Sequence, residues 1–421
     1  MKKIFKNYQT KTLIIKLSCF LFTIFLIGNF IYFISNTSKS SFVPSVFFSE
    51  VYEKEPIANV GTFITDSDEN LESSIISFLN NLYVTRNNSF LTGNVEGLYK
   101  FYDIAQNFSR NSLKHEFKRI AYLRDWASER NISLINIEST PKIKSLEIKD
   151  NTYNLTLIEE YKFDYLYNNA TEETNTFGVS LIHNLELKTF GNTLIVAKDY
   201  YQDCFESGLK NYNFNLTEKV IPITKSKTYN LNFNTDLDLE NSENYNRKAS
   251  IDYANKYSGI SFPNASYDKY NSNYYIYTAG SGNSTNFISQ CLGDKIEGGG
   301  MSQDKEWSYR YNESKGVTAS ATWVNPEKFL NYLLSSNKAN ITFSGSFDKI
   351  LKDMKESNTK VKPGDLIIYK EGNYLEHSAI ITGFDNFGYP LVNSNSIDKY
   401  KAPFDLGWSN HNSEFYIVTL K

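Results

Sequence analysis

The sequence predicts an α+β protein with an N-terminal membrane anchor and two globular units. Three observations carry this. A lysine-rich flank runs into a long apolar stretch at the start of the chain. Apolar residues at helical spacing then give way, after Asn131, to strand-like alternation. Beyond a polar, irregular stretch, helical and strand patterns recur in mixed order to the C-terminus. The 421 residues exceed what one small core needs, and 41% hydrophobic and 15% aromatic content suffice for packed interiors.

The anchor comes first. Lys2, Lys3, Lys6, Lys11 and Lys16 precede the run from Leu17 to Ile34, "LSCFLFTIFLIGNFIYFI". About 18–20 such residues span a bilayer, and the basic flank stays in the cytoplasm. Residues 1–35 are read as a signal anchor, leaving the bulk of the chain outside the cell membrane. A cleaved signal peptide is the other reading, although "SNTSKSSFVPS" is a weak cleavage site. Residues 36–68 form a polar stalk.

Residues 69–211 make the first unit. Leu71, Ile75, Phe78, Leu79 and Leu82 mark one helix, with a break expected at Asn87-Asn88-Ser89. Leu98, Tyr99 and Tyr102 mark a short helix, and Phe117, Ile120, Leu123 and Trp126 mark a third. Strands follow, turning at Asp150-Asn151 and at Phe190-Gly191-Asn192. Helices followed by an antiparallel meander resemble the cone-shaped fold of nuclear transport factors and steroid isomerases. That fold hosts many activities and implies none. His183 within a strand and Asp199 at the end of one are read as core or edge residues. His115 is read as solvated on a charged helix face.

Residues 212–244 are read as a linker, so the units on either side are expected to fold separately. Residues 245–421 form the last unit. It opens with the helical "YNRKASIDYANKY". In "GSGNSTNFISQCL", Ser284 stands where a polar cluster meets an apolar helix, and Ser284-Thr285 reads as its cap. "KPGDLIIYK", "HSAIITGFD" and "YPLVNSN" read as strands, with His377 starting the second. A nucleophile at a helix N-terminus facing a histidine on a sheet is the layout of papain-like hydrolases. The helix end favours an anionic nucleophile, the imidazole takes its proton, and a polar residue on the next strand orients the ring.

Several motifs then fall in one order. "STNFISQCL", "GGGMSQDKEW" ending in Trp307, "SATWVNPEKFLNYL" containing Trp323, and the three closing strands resemble the putative amidase domain family of Gram-positive bacteria. That family is distantly related to CHAP and NlpC-type cell-wall hydrolases. The resemblance covers Tyr245 to Leu420, and it implies an amide hydrolase with a catalytic cysteine. Here the family's Asp-Cys is Asn283-Ser284, and its His-Thr pair is Asn395-Ser396. His377 alone stands unchanged. The carried-over catalytic positions are Ser284, His377 and Asn395, with Asn283, Trp307 and Trp323 as substrate-binding positions.

Serine is a far weaker nucleophile than a thiolate unless a base orients it. Two functions follow from this. One is an impaired amidase-like domain that binds cell-wall peptide or a partner protein. The other is an active hydrolase running on Ser284, His377 and Asn395. A replacement of cysteine by design would also give this sequence. Cys291 lies about 10 Å deeper along the helix by its rise and faces the core. His411 is the other candidate base. Cys204 and Cys291 read as free thiols, with pairing left open. The net charge of −3 argues against a nucleic-acid partner. No metal-ligand spacing and no phosphate loop occurs, so no metal or cofactor is expected. The tyrosines of "YDKYNSNYYIY" line either a groove or a half-buried strand.

Overall fold

A computed structural model describes residues 66–421 apart from 170–172, 192, 226, 234–236, 263–269, 278–282, 313–315 and 410–411. The expected anchor, nearly all of the stalk, and His411 lie outside these residues. Among the described residues no helix is long and apolar enough to cross a membrane.

The architecture is mixed α and β. Helix α1 (Asp66–Thr92) buries Ile75, Leu79, Leu82, Tyr83 and Phe90, a stripe at three- and four-residue spacing. It runs through the break expected at Asn87–Ser89. Tertiary bonds override local propensity there, because Asn87 donates its amide to the Ile137 carbonyl and the Ser139 hydroxyl. The helix stops before Gly93, whose φ of +80° suits a helix end. A 3₁₀ turn (Glu96–Phe101) leads to α2 (Asn107–Glu129). Four strands follow as a meander: β1 (Ile132–Lys149), β2 (Thr152–Tyr167), β3 (Asn175–Phe190) and β4 (Thr193–Tyr201). The β1–β2 turn contains Asp150 at a φ of +53°, a conformation that Asp tolerates.

The last unit adds α3 (Arg247–Lys256), α4 (Ser284–Gly293), a small hairpin of β5 (Tyr309–Asn312) and β6 (Gly316–Ala319), and α5 (Pro326–Ser335). Strand β7 (Ala339–Ser346) and helix α6 (Phe347–Glu356) come next. The chain closes with β8 (Leu366–Glu371), β9 (Tyr374–Phe384), β10 (Pro390–Ser394), β11 (Asp398–Pro403) and β12 (Ser413–Leu420).

One ten-stranded sheet joins the two units, in the order β1-β2-β3-β11-β10-β9-β8-β12-β7, with β4 also on β3. Strand β4 covers β3 only from His183 to Phe190. Residues Gly178–Ser180 are left with unpaired backbone groups, and β11 takes them, Asp398 opposite Ser180 and Tyr400 opposite Gly178.

Alternate residues of the C-terminal strands serve two different cores. Ile367, Tyr369, Ala379, Ile381 and Phe415 share a core with the helices and strands of the first unit. Leu366, Ile368, Ile380 and Val418 pack with Phe287, Ile288, Trp307, Trp323 and Phe329 on the other face. Buried polar bonds add to the join. Arg130 pairs with Asp405, Trp126 donates to Asp405 at 3.1 Å, and the Tyr165 and Tyr167 hydroxyls donate to Asp385 at 2.9 and 2.5 Å.

Residues 212–244 are irregular, as expected of a linker, but they are packed. Ile221, Leu231 and Phe233 are buried. The Tyr229 N–H donates to the Glu129 carbonyl and the Phe233 N–H to the Phe387 carbonyl, so the stretch braces both units. The described residues belong to one compact unit, and this replaces the expectation of two separately folding ones.

Candidate active site

All ten residues of α4 are buried, which requires an interior that accepts polar and apolar side chains alike. Asn283, rather than Ser284, occupies the cap position. The Asn283 side-chain oxygen accepts from the Tyr277 N–H at 3.1 Å and the Asn286 amide at 2.7 Å, while its own N–H donates to the Ser396 hydroxyl. Ser284 is the first residue of the helix and is 2% exposed. Its Oγ accepts from the Ser378 N–H at 3.3 Å. The next residue, Thr285, shares a hydrogen bond with the Ser378 hydroxyl at 3.1 Å.

Helix α4 therefore meets β9 at Ser378. Neighbouring residues of a strand point to opposite faces, so His377 points away from α4. The imidazole lies 5.5 Å from the ring of Tyr369 and 5.9 Å from that of Trp408, on the face shared with the first unit. Burial, reinforced by the Lys399 cation, pushes its pKa down to about 3, so it is neutral at ordinary pH. Asn395 follows β10 in a turn and is 2% exposed. With its NH2 group facing two carbonyl oxygens, it donates to Ser394 at 3.3 Å and Ser258 at 3.2 Å. The structure thus brings Asn283, Ser284 and Ser396 together and places His377 elsewhere. Among the described residues no imidazole or carboxylate hydrogen-bonds Ser284.

Residues 244–418 match the model of a family described as "Putative amidase domain". No curated protein and no solved structure matches the chain. The match covers the segment in which the ordered motifs lie, and it supports an amidase-like function for it.

Within this amidase-like domain both tryptophans are fully buried, so neither is a wall open to substrate. They hold the helix instead. Trp307 Nε1 donates to the Ser289 hydroxyl at 3.0 Å, and Trp323 Nε1 to the Asn286 side-chain oxygen at 2.9 Å. A buried indole needs an acceptor, and α4 supplies one to each. Cys291 is a buried free thiol whose pKa burial raises, as expected of a core residue. Cys204 is also a buried free thiol. Gly298 and Gly299 pass so close beneath α4 and Tyr245 that an added Cβ would lie 2.8 Å from the Gln290 carbonyl or 2.6 Å from the Tyr245 ring.

A constellation missed in the sequence lies in the first unit. His183 Nδ1 is 3.0 Å from Asp199, its Nε2 is 3.4 Å from Glu159, and Arg86 pairs with the same Glu159. Arg119 pairs with Glu116 at 3.0 Å and with Asp203 at 2.9 Å, and Asp203 also meets His115 at 2.7 Å. The cations hold Glu159 and Asp203 well below the usual carboxylate range. Two arginines and two histidines face four carboxylates, so the network balances its own charge. His183 and Asp199 pair across adjacent strands, and periodicity within one strand carries no signal for that. Among the described residues no group of His, Cys, Asp and Glu is arranged to hold a metal ion.

Proposed function

We propose that the chain is an amidase-like protein held at the outer face of a membrane by its N-terminal segment. In this reading it binds cell-wall peptide or a partner protein without cleaving it. One observation carries the reading: Ser284 and His377 serve opposite faces of the sheet. A serine hydroxyl becomes nucleophilic only when a base removes its proton. Among the described residues, the hydrogen bond that Ser284 Oγ makes comes from the Ser378 N–H, which is a donor and cannot take that proton. The papain-like facing of a helix nucleophile and a strand histidine is not part of it, because His377 points away from α4. The exchange of cysteine for serine belongs to this reading. So does the membrane location, which the apolar run from Leu17 to Ile34 supports.

The test uses the full chain with muropeptides and simple acyl amides. Native protein, Ser284→Ala and Ser284→Cys should all fail to hydrolyse either substrate, while native protein retains muropeptides in equilibrium dialysis. Turnover by native protein that Ser284→Ala abolishes would establish a hydrolase running on Ser284 instead. Protease shaving of intact cells checks the location, and a protected soluble pool would contradict it.

A further inference from the structure

Lys399 takes no part in the contacts around Ser284. This residue of β11 is 4% exposed. Its Nζ donates to the Leu406 carbonyl at 2.5 Å, and among the described residues no carboxylate forms an ion pair with it. An ammonium has three donors, so two remain for another acceptor. Asp405 acts on Lys399 from further off, but Arg130, Trp126 and Tyr389 already engage that carboxylate. A buried cation without a direct ion pair is costly, and burial pushes Lys399 down to about 8.

Lys399 lines a pocket of about 240 Å³ on the sheet face opposite α4. His377 and Trp408 line it too, and Trp408 is fixed by stacking on Tyr369 at 4.4 Å. The imidazole makes no hydrogen bond to any described residue, so it is free to give or take one within the pocket. Glu371 and Glu376 lie on another side. Ser207 and Lys210 occupy Glu371, at 3.0 and 2.8 Å. Glu376 lies at the rim and has no hydrogen-bond or ion-pair partner among the described residues. Burial and the charge of Glu371 push its carboxyl up, which a bound cation would relieve.

The pocket therefore offers, among the described residues, an ammonium without an ion-pair partner inside and a carboxylate without one at its edge. Its volume is below the roughly 300–1,000 Å³ typical of pockets for drug-sized ligands. We propose that it binds a small zwitterion of the α-amino-acid class, with the ligand carboxylate on Lys399 and the ligand ammonium on Glu376. The site does not depend on whether Ser284 is active.

The experiment is calorimetric titration of the full chain with a panel of free α-amino acids, alongside propionate and ethylamine. At least one amino acid should bind saturably, and each single-charge analogue should bind about tenfold more weakly or worse. Lys399→Met and Glu376→Gln should each weaken binding by about tenfold or more. Glu376 lies at the rim, so Glu376→Gln decides the matter if Lys399→Met fails to fold. The proposal is overturned if no amino acid binds up to about 10 mM. It is equally overturned if binding survives Glu376→Gln unchanged, or if propionate or ethylamine binds as well as the amino acids.

Discussion

His183 offers a direct measurement of what the buried network contributes. The residue is 0% exposed, its ring lies 4.0 Å from that of Tyr201, and Asp199 and Glu159 face its two nitrogens. Burial alone would lower the imidazole pKa. The two carboxylates outweigh burial and raise it from 6.5 to about 9. A value raised in the folded state means that folding favours the protonated ring. That stabilisation is complete below the unfolded value near 6.5 and is lost as pH rises through about 9. A difference of about 2.5 pH units corresponds to about 3 kcal/mol. Urea unfolding of native protein and His183→Gln, followed from about pH 6 to about pH 10, should therefore show a stability difference that shrinks by about that amount. Comparing the two proteins at each pH removes the titration of groups they share. The reasoning fails if the difference is independent of pH. It also fails if the His183 ring, followed by NMR, titrates at or below the ordinary histidine value.

Two further predictions concern the join between the units. Gly407 has a φ of +91°, and a Cβ there would lie 1.8 Å from the Cys204 carbonyl oxygen. Its N–H donates to the Tyr122 hydroxyl at 2.7 Å, so Gly407→Ala must displace backbone at the contact between units. It should cost about 3 kcal/mol or more in urea unfolding, and a neutral effect would contradict the packing described. Limited proteolysis should leave one resistant core containing both units, because β3 pairs with β11 and residues 212–244 are packed. Two fragments that separate on a sizing column and stay folded would refute the shared core.

Much of the local structure was legible in the sequence. Helical spacing located α1 and α2, the turn residues located the β1–β2 and β3–β4 hairpins, and the polar-to-apolar change at Ser284 located the start of α4. The order of the motifs alone pointed to the amidase-like segment. These features depend on residues close together in the chain, where 3.6- and 2-residue periods and turn chemistry leave a direct imprint.

Tertiary structure alone decided which residues meet. Whether His377 or Ser378 faces α4 turns on a single step along β9, and a strand pattern such as "HSAIITGFD" reads equally well from either face when both are buried. Trp307 and Trp323 are as apolar in a core as in a groove, and only the acceptors offered by Ser289 and Asn286 settle their role. His183 meets Asp199 because β3 and β4 pair in one register, and Lys399 lines its pocket because β11 crosses to β3. Each of these outcomes depends on contacts between residues distant in sequence. Faces, registers and strand order are set by the burial of the whole sheet, so no single segment of the chain specifies them.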